Sequence, residues 1–97
     1  MSVLGDALMQ AIAESLNLDR FFFRNTICKE HTGILSLLHY PKNNDRNTIG
    51  VGEHTDYGLI TMLMVGDKGL KVKDRKDNWI DVDPIPDTFV INIGDIL

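Results

Sequence analysis

The sequence has 97 residues, 43% of them hydrophobic, a length that supports one modest core and excludes a multidomain assembly. Ten Lys plus Arg against fourteen Asp plus Glu leave a net charge of −4, spread along the chain. That balance argues against a nucleic-acid or acidic-membrane partner, since either calls for a basic face.

The longest nearly apolar stretch, Leu59 to Val65, is far short of the roughly 18 to 20 residues that span a bilayer, and no basic segment leads into an apolar one at the N-terminus. No membrane anchor or secretory signal is therefore expected. The single cysteine, Cys28, has no internal disulfide partner, so a reducing, cytoplasmic setting is the expectation. No Cys, His or basic residue is arranged around it as a thiol nucleophile or zinc ligand needs, and it reads as a plain, partly buried thiol.

In chain order, Val3, Leu4, Ala7, Leu8, Ala11, Ile12 and Leu16 recur at spacings of three and four, with Asp6, Gln10 and Glu14 opposite. The spacing predicts an amphipathic helix over about 2–17, with Ser2 as N-cap and Asn17 with Leu18 as the exit. Asp19 is placed to cap a short turn through Phe21 to Phe23, whose aromatic run reads as packing. From Ile34 the period changes to two. Ile34 to Tyr40 is a strand by composition, ended by Pro41, and 42–47 is a loop of turn formers. Further short strands are predicted at Thr48–Glu53, Leu59–Met64, Leu70–Lys73, Trp79–Val82 and Thr88–Ile93. One helix followed by about six short strands predicts a mainly β sandwich or jelly roll.

Several chemistries are excluded by spacing. Gly50-Val51-Gly52 lacks the third glycine of a dinucleotide loop, and Gly66-Asp67-Lys68-Gly69 lacks the Lys-Ser/Thr pair of a phosphate loop. Neither a nucleophile elbow nor a His-Glu-x-x-His helix occurs. What remains is His54-Thr55-Asp56. With three histidines and fourteen acids in the chain, such a triplet alone is weak evidence, and context must decide. Glu30-His31-Thr32-Gly33 serves as an internal control: it repeats Glu-His-Thr but has Gly in place of the acid, so His31 reads as an ordinary loop histidine. At His54 a short β-stretch runs into the triplet, and Gly58 follows to turn the chain back. In an extended segment residues i and i+2 point to the same side, so His54 and Asp56 can converge on one cation. An imidazole nitrogen and a carboxylate oxygen suit Fe(II) and are two thirds of a facial triad.

The run from His54-Thr55-Asp56-Tyr57-Gly58 through Gly69-Leu70-Lys71-Val72, Trp79-Ile80-Asp81-Val82 and Pro84-Ile85-Pro86 to Phe89-Val90-Ile91-Asn92-Ile93-Gly94-Asp95 resembles the core of the isopenicillin N synthase-like iron(II)/2-oxoglutarate-dependent dioxygenases. Leu37-Leu38-His39-Tyr40-Pro41 is similar to that family's strand before the metal motif. The resemblance covers nearly the whole chain. It implies a partial double-stranded β-helix (jelly roll) with one N-terminal amphipathic helix, and His54 and Asp56 as metal ligands. Tyr40 would be a hydroxyl donor to the carboxylate of 2-oxoglutarate or substrate. His39 should face away from that cavity if Tyr40 faces it. Tyr57 and Trp79 are expected to pack, and Asn92, if buried, to have its amide satisfied structurally.

The activity implied is oxidation of a small organic substrate with O2, releasing succinate and CO2. Fe(II) is the cofactor and 2-oxoglutarate the cosubstrate; ascorbate is compatible with both. The family's second metal histidine and its Arg-x-Ser pair for 2-oxoglutarate do not occur after Asp56. Residues 1–97 are accordingly expected to be a single partial domain, truncated at both ends relative to the family. Such a fragment should be inactive by itself, and the sequence assigns no oligomeric state. The alternative reading is a non-catalytic β-sandwich binding module in which His54 and Asp56 form a surface hydrogen-bonded pair with no metal role.

Overall fold

In the computed structural model, which describes residues 2–30, 33–42 and 49–97, the N-terminal periodicity forms helix α1, Ser2–Ser15. Ser2 is thus the first helical residue instead of the cap. The exit is as predicted: Asn17 takes a left-handed φ of 57°. Its N–H bonds Glu14 O at 3.0 Å and the Leu18 N–H bonds Ala13 O at 2.9 Å, which satisfies two terminal carbonyls by a Schellman closure. Asp19 then caps the next turn, its Oδ1 accepting the Phe21 N–H at 2.8 Å and its carbonyl accepting the Phe22 N–H at 2.9 Å. The short helix α2, Phe22–Asn25, follows and packs on α1.

The buried hydrophobic residues among those described are Met9, Ala13 and Phe23, with Phe22 edge-on to Phe23 at 5.3 Å between ring centres. This face is rotated from the predicted stripe: Val3 is 84% exposed, and Ala7 and Ala11 are exposed as well. The reason is the position of α2, which sets the covered side of the helix by where Phe23 sits. Burying one such side chain is worth about 1.5–3 kcal/mol, so Phe23 carries much of this small core. Cys28 lies at its margin, where burial, and then the charge of Asp6, hold the thiol above its usual range.

The chain divides into two compact units, Met1–Gly50 and Val51–Leu97. In the second, four of the six predicted strands form: β1 (Ile60–Leu63), β2 (Lys71–Lys73), β3 (Trp79–Asp81) and β4 (Val90–Ile93). β1 pairs antiparallel with β4, Ile60 opposite Ile93 and Thr61 opposite Asn92. β2 and β3 are an antiparallel hairpin, Lys71 opposite Asp81 and Lys73 opposite Trp79.

Two predicted strands do not form. Residues 33–42, which include Ile34 to Tyr40, have no regular structure, and neither do residues 49–53 of the Thr48–Glu53 prediction. β-type composition supplies only propensity; a strand needs a neighbouring ladder, and among the described residues none pairs with these segments. Leu37 is accordingly 94% exposed. Among the described residues the first unit thus holds two helices and the second two antiparallel two-stranded ladders, short of a complete jelly roll. The His31 reading and most of the 42–47 loop lie outside the described residues.

Candidate metal centre

His54, Thr55 and Asp56 sit in an irregular segment that enters β1, not at the end of a strand as expected. Their geometry is imposed by the far end of β4. Gly94 N–H bonds Leu59 O, Asp95 N–H bonds Asp56 O, and Ile96 N–H bonds Gly58 O, each at 2.9 Å. Thr55 Oγ1 donates to Asp95 Oδ2 at 2.8 Å. The chain reverses at Gly58, whose φ of 118° is accessible to glycine and strained for other residues. A ladder of main-chain bonds on one side and a glycine reversal on the other thus fix the triplet.

Within this clasp His54 Nδ1 lies 2.9 Å from Gly52 O. A carbonyl only accepts, so Nδ1 donates, and in the neutral ring Nε2 presents its lone pair. Nε2 lies 3.3 Å from Asp56 Oδ1. Two acceptors that close repel one another unless a proton or a cation lies between them. Ligands about 2.1 Å from one centre and at right angles are separated by about 3 Å, so this pair fits adjacent corners of an octahedron.

The other carboxylate oxygen is engaged: Asn92 Nδ2 donates to Asp56 Oδ2 at 2.7 Å. The Asn92 amide, then the Thr61 hydroxyl, hold the Asp56 carboxyl below its usual range, with His54 adding to the effect and partial burial opposing it. Asp56 is thus an oriented carboxylate with one oxygen available beside an imidazole lone pair. Among the described residues no group of three or more His, Cys, Asp or Glu side chains is placed to hold a metal.

The remaining predicted residues fall elsewhere. Tyr40 belongs to the N-terminal unit, where it is 53% exposed and a Cβ added at Gly50 would lie 3.2 Å from its ring. Because 33–42 is not a strand, the alternation that set His39 against Tyr40 has no basis. Tyr57 does not pack: it is 89% exposed. Trp79 is 51% exposed, and Lys73 Nζ lies 4.8 Å from its ring centre while bonding Glu53 at 2.6 Å, tying the hairpin to the residue before His54.

The Asn92 amide is satisfied, as expected of it when buried; what sequence reasoning did not foresee is that its partner is the Asp56 carboxylate. The signal was present in the strand pattern. In β4 the exposed side chains are Ile91 and Ile93, while Asn92 faces the less exposed side, the reverse of ordinary patterning.

No helix among the described residues is long and apolar enough to cross a membrane. Residues 31–97 match the family model described as the 2OG-Fe(II) oxygenase superfamily. Over 97% of its length the chain is 38% identical to a probable iron/ascorbate oxidoreductase of Dictyostelium discoideum, of which it covers 30%. It is 35% identical over 93% of its length to a homoarginine-6-hydroxylase of Arabidopsis thaliana, covering 26% of that protein. A 1-aminocyclopropane-1-carboxylate oxidase homologue of the same plant is 38% identical over 97% of the chain, which covers 26% of it. The chain therefore spans less than a third of the length of these relatives. No solved structure gives a significant match. With a family match over most of the sequence and the His54–Asp56 pair inside it, the chain belongs to the 2OG-Fe(II) oxygenase superfamily.

Proposed function

We propose that this chain contributes the His-x-Asp portion of the iron centre of a 2-oxoglutarate-dependent dioxygenase, with His54 and Asp56 as two protein ligands. The observation that carries the reading is the 3.3 Å approach of His54 Nε2 to Asp56 Oδ1 while Nδ1 and Oδ2 are turned to other partners. When bound, Fe(II) supplies the centre at which O2 and the 2-oxo acid react; the chain's own residues hold two donors on one side of it. We assign the third ligand to the part of the relatives' length that this chain does not span.

The reaction is oxidation of a small organic substrate with release of succinate and CO2. Tyr40 is part of the same proposal, as a hydroxyl donor to a cosubstrate or substrate carboxylate. The name of one relative, an iron/ascorbate oxidoreductase, supports ascorbate as an auxiliary reductant. The relatives' names span a homoarginine hydroxylase and a 1-aminocyclopropane-1-carboxylate oxidase, which supports the shared oxidative chemistry over any one substrate. Family membership does not favour the non-catalytic alternative.

The test is 2-oxoglutarate-dependent O2 uptake and succinate release, with Fe(II) supplied, by a protein carrying this chain at the length of its relatives. His54→Ala and Asp56→Ala should each reduce turnover to background. If His54→Ala retains most of the activity, the ligand assignment is wrong.

A further inference from the structure

Strand β4 carries an inversion that apolar packing does not explain. Ile91 and Ile93 are 39% and 64% exposed, while Asn92 between them is part-buried. A half-buried amide is stabilised only when its hydrogen bonds are met, and here the Nδ2 donor is met by Asp56 Oδ2, 36 residues away in sequence, at 2.7 Å. The register explains the placement: Asn92 is directly opposite Thr61 in the β1–β4 ladder, beside the turn that carries Asp56. With Oδ2 held, Oδ1 is the oxygen beside His54 Nε2.

We propose that Asn92 is a positioning residue that selects the coordinating oxygen of Asp56, reserving Oδ2 so that the carboxylate meets a metal ion through Oδ1 alone. A bidentate carboxylate would take two positions on the ion, whereas a one-oxygen ligand leaves one more open for exchangeable ligands. The inference rests on the assignment of His54 and Asp56 as metal ligands.

The experiment uses Mn(II), an oxygen-stable probe, and a protein carrying this chain at the length of its relatives. Mn(II) affinity and the electron paramagnetic resonance line shape are measured for the unsubstituted protein, Asn92→Ala and His54→Ala, with apo-protein unfolding followed in parallel. Asn92→Ala should weaken Mn(II) by roughly ten- to a hundred-fold, the usual effect of removing a partner of a metal-bound side chain, and should change the line shape. Apo stability should change little. Unchanged affinity and line shape in Asn92→Ala, beside loss of binding in His54→Ala, would overturn the role of Asn92 and leave the ligand assignment standing. If His54→Ala binds Mn(II) as well as the unsubstituted protein, the ligand assignment itself fails.

A second measurement avoids substitution altogether. Diamagnetic Zn(II) added to the unsubstituted protein should shift the Asn92 side-chain amide resonances together with those of the His54 ring. His54 shifts without any Asn92 response would also overturn the proposal.

Discussion

Gly94 shows how a single atom sets the geometry of the candidate centre. A Cβ there would lie 2.4 Å from Gly58 O, 2.8 Å from Gly58 C and 3.0 Å from Asp56 O, all backbone atoms that a rotamer change cannot move. Those carbonyls approach because they accept the Asp95 and Ile96 N–H groups, so the contact and the clasp are one feature. Gly94→Ala should push the 54–58 segment outward and destabilise the unit by about 1–3 kcal/mol, the usual range for forced overpacking. Denaturant unfolding reads the loss, and Mn(II) affinity should fall with it; an unchanged midpoint would show that the clasp yields freely. The closeness of His54 to Asp56, 3.3 Å between Nε2 and Oδ1, was legible in the sequence because a separation of two residues is a local relation. Asn92, Thr61 and Gly94 were not, because they reach the triplet only through the pairing of β1 with β4.

Elements differ in legibility for the same reason. The hairpin of β2 and β3 is closed by local chemistry: Asp74 Oδ1 accepts the Lys76 and Asn78 N–H groups at 2.7 and 2.9 Å, and Asp77 takes a left-handed φ of 62°. Its Arg-Lys-Asp-Asn turn residues announced it, as Gly58 and the Pro-Ile-Pro-Asp segment announced the edges of β1 and β4. Ile34 to Tyr40 has equally good β composition, but ladder partners are a tertiary property and composition cannot supply them. The Asn78 and Lys76 hydrogen bonds hold the Asp74 carboxyl below its usual range. A lowered folded value means the ionised form is favoured by folding, so the hairpin is fully supported above the unfolded value of about 3.9 and loses that support as pH falls through the lower folded value. Side-chain NMR titration should place Asp74 below an ordinary aspartate, and the amides of Lys76 and Asn78 should move with it. Asp74→Ala should speed hydrogen exchange at those amides already at neutral pH; unaltered exchange would mean that the strands, not the turn, hold the hairpin.

For the 97-residue chain as a whole, the distribution of burial decides the expectation. The buried hydrophobic residues among those described, Met9, Ala13 and Phe23, all lie in the Met1–Gly50 unit. The Val51–Leu97 unit consists of two two-stranded ladders, and isolated two-stranded ladders are marginal in water. Ile93 and Met64 are 64% and 65% exposed there, and Leu35 and Leu38 are 76% and 68% exposed in the other unit, leaving apolar surface that association would cover. This chain alone should therefore unfold with weak cooperativity and self-associate as its concentration rises. On the proposed assignment its described residues offer two ligands to a metal, so Fe(II) should bind weakly and exchange readily, with no turnover. Sedimentation equilibrium across a concentration series tests the first point, and anaerobic Fe(II) titration followed by a succinate assay tests the second. A cooperative monomer that binds iron stoichiometrically and sustains succinate release would mean that the unit closes its own core and completes its own centre, against both the burial pattern and the two-ligand geometry at His54 and Asp56.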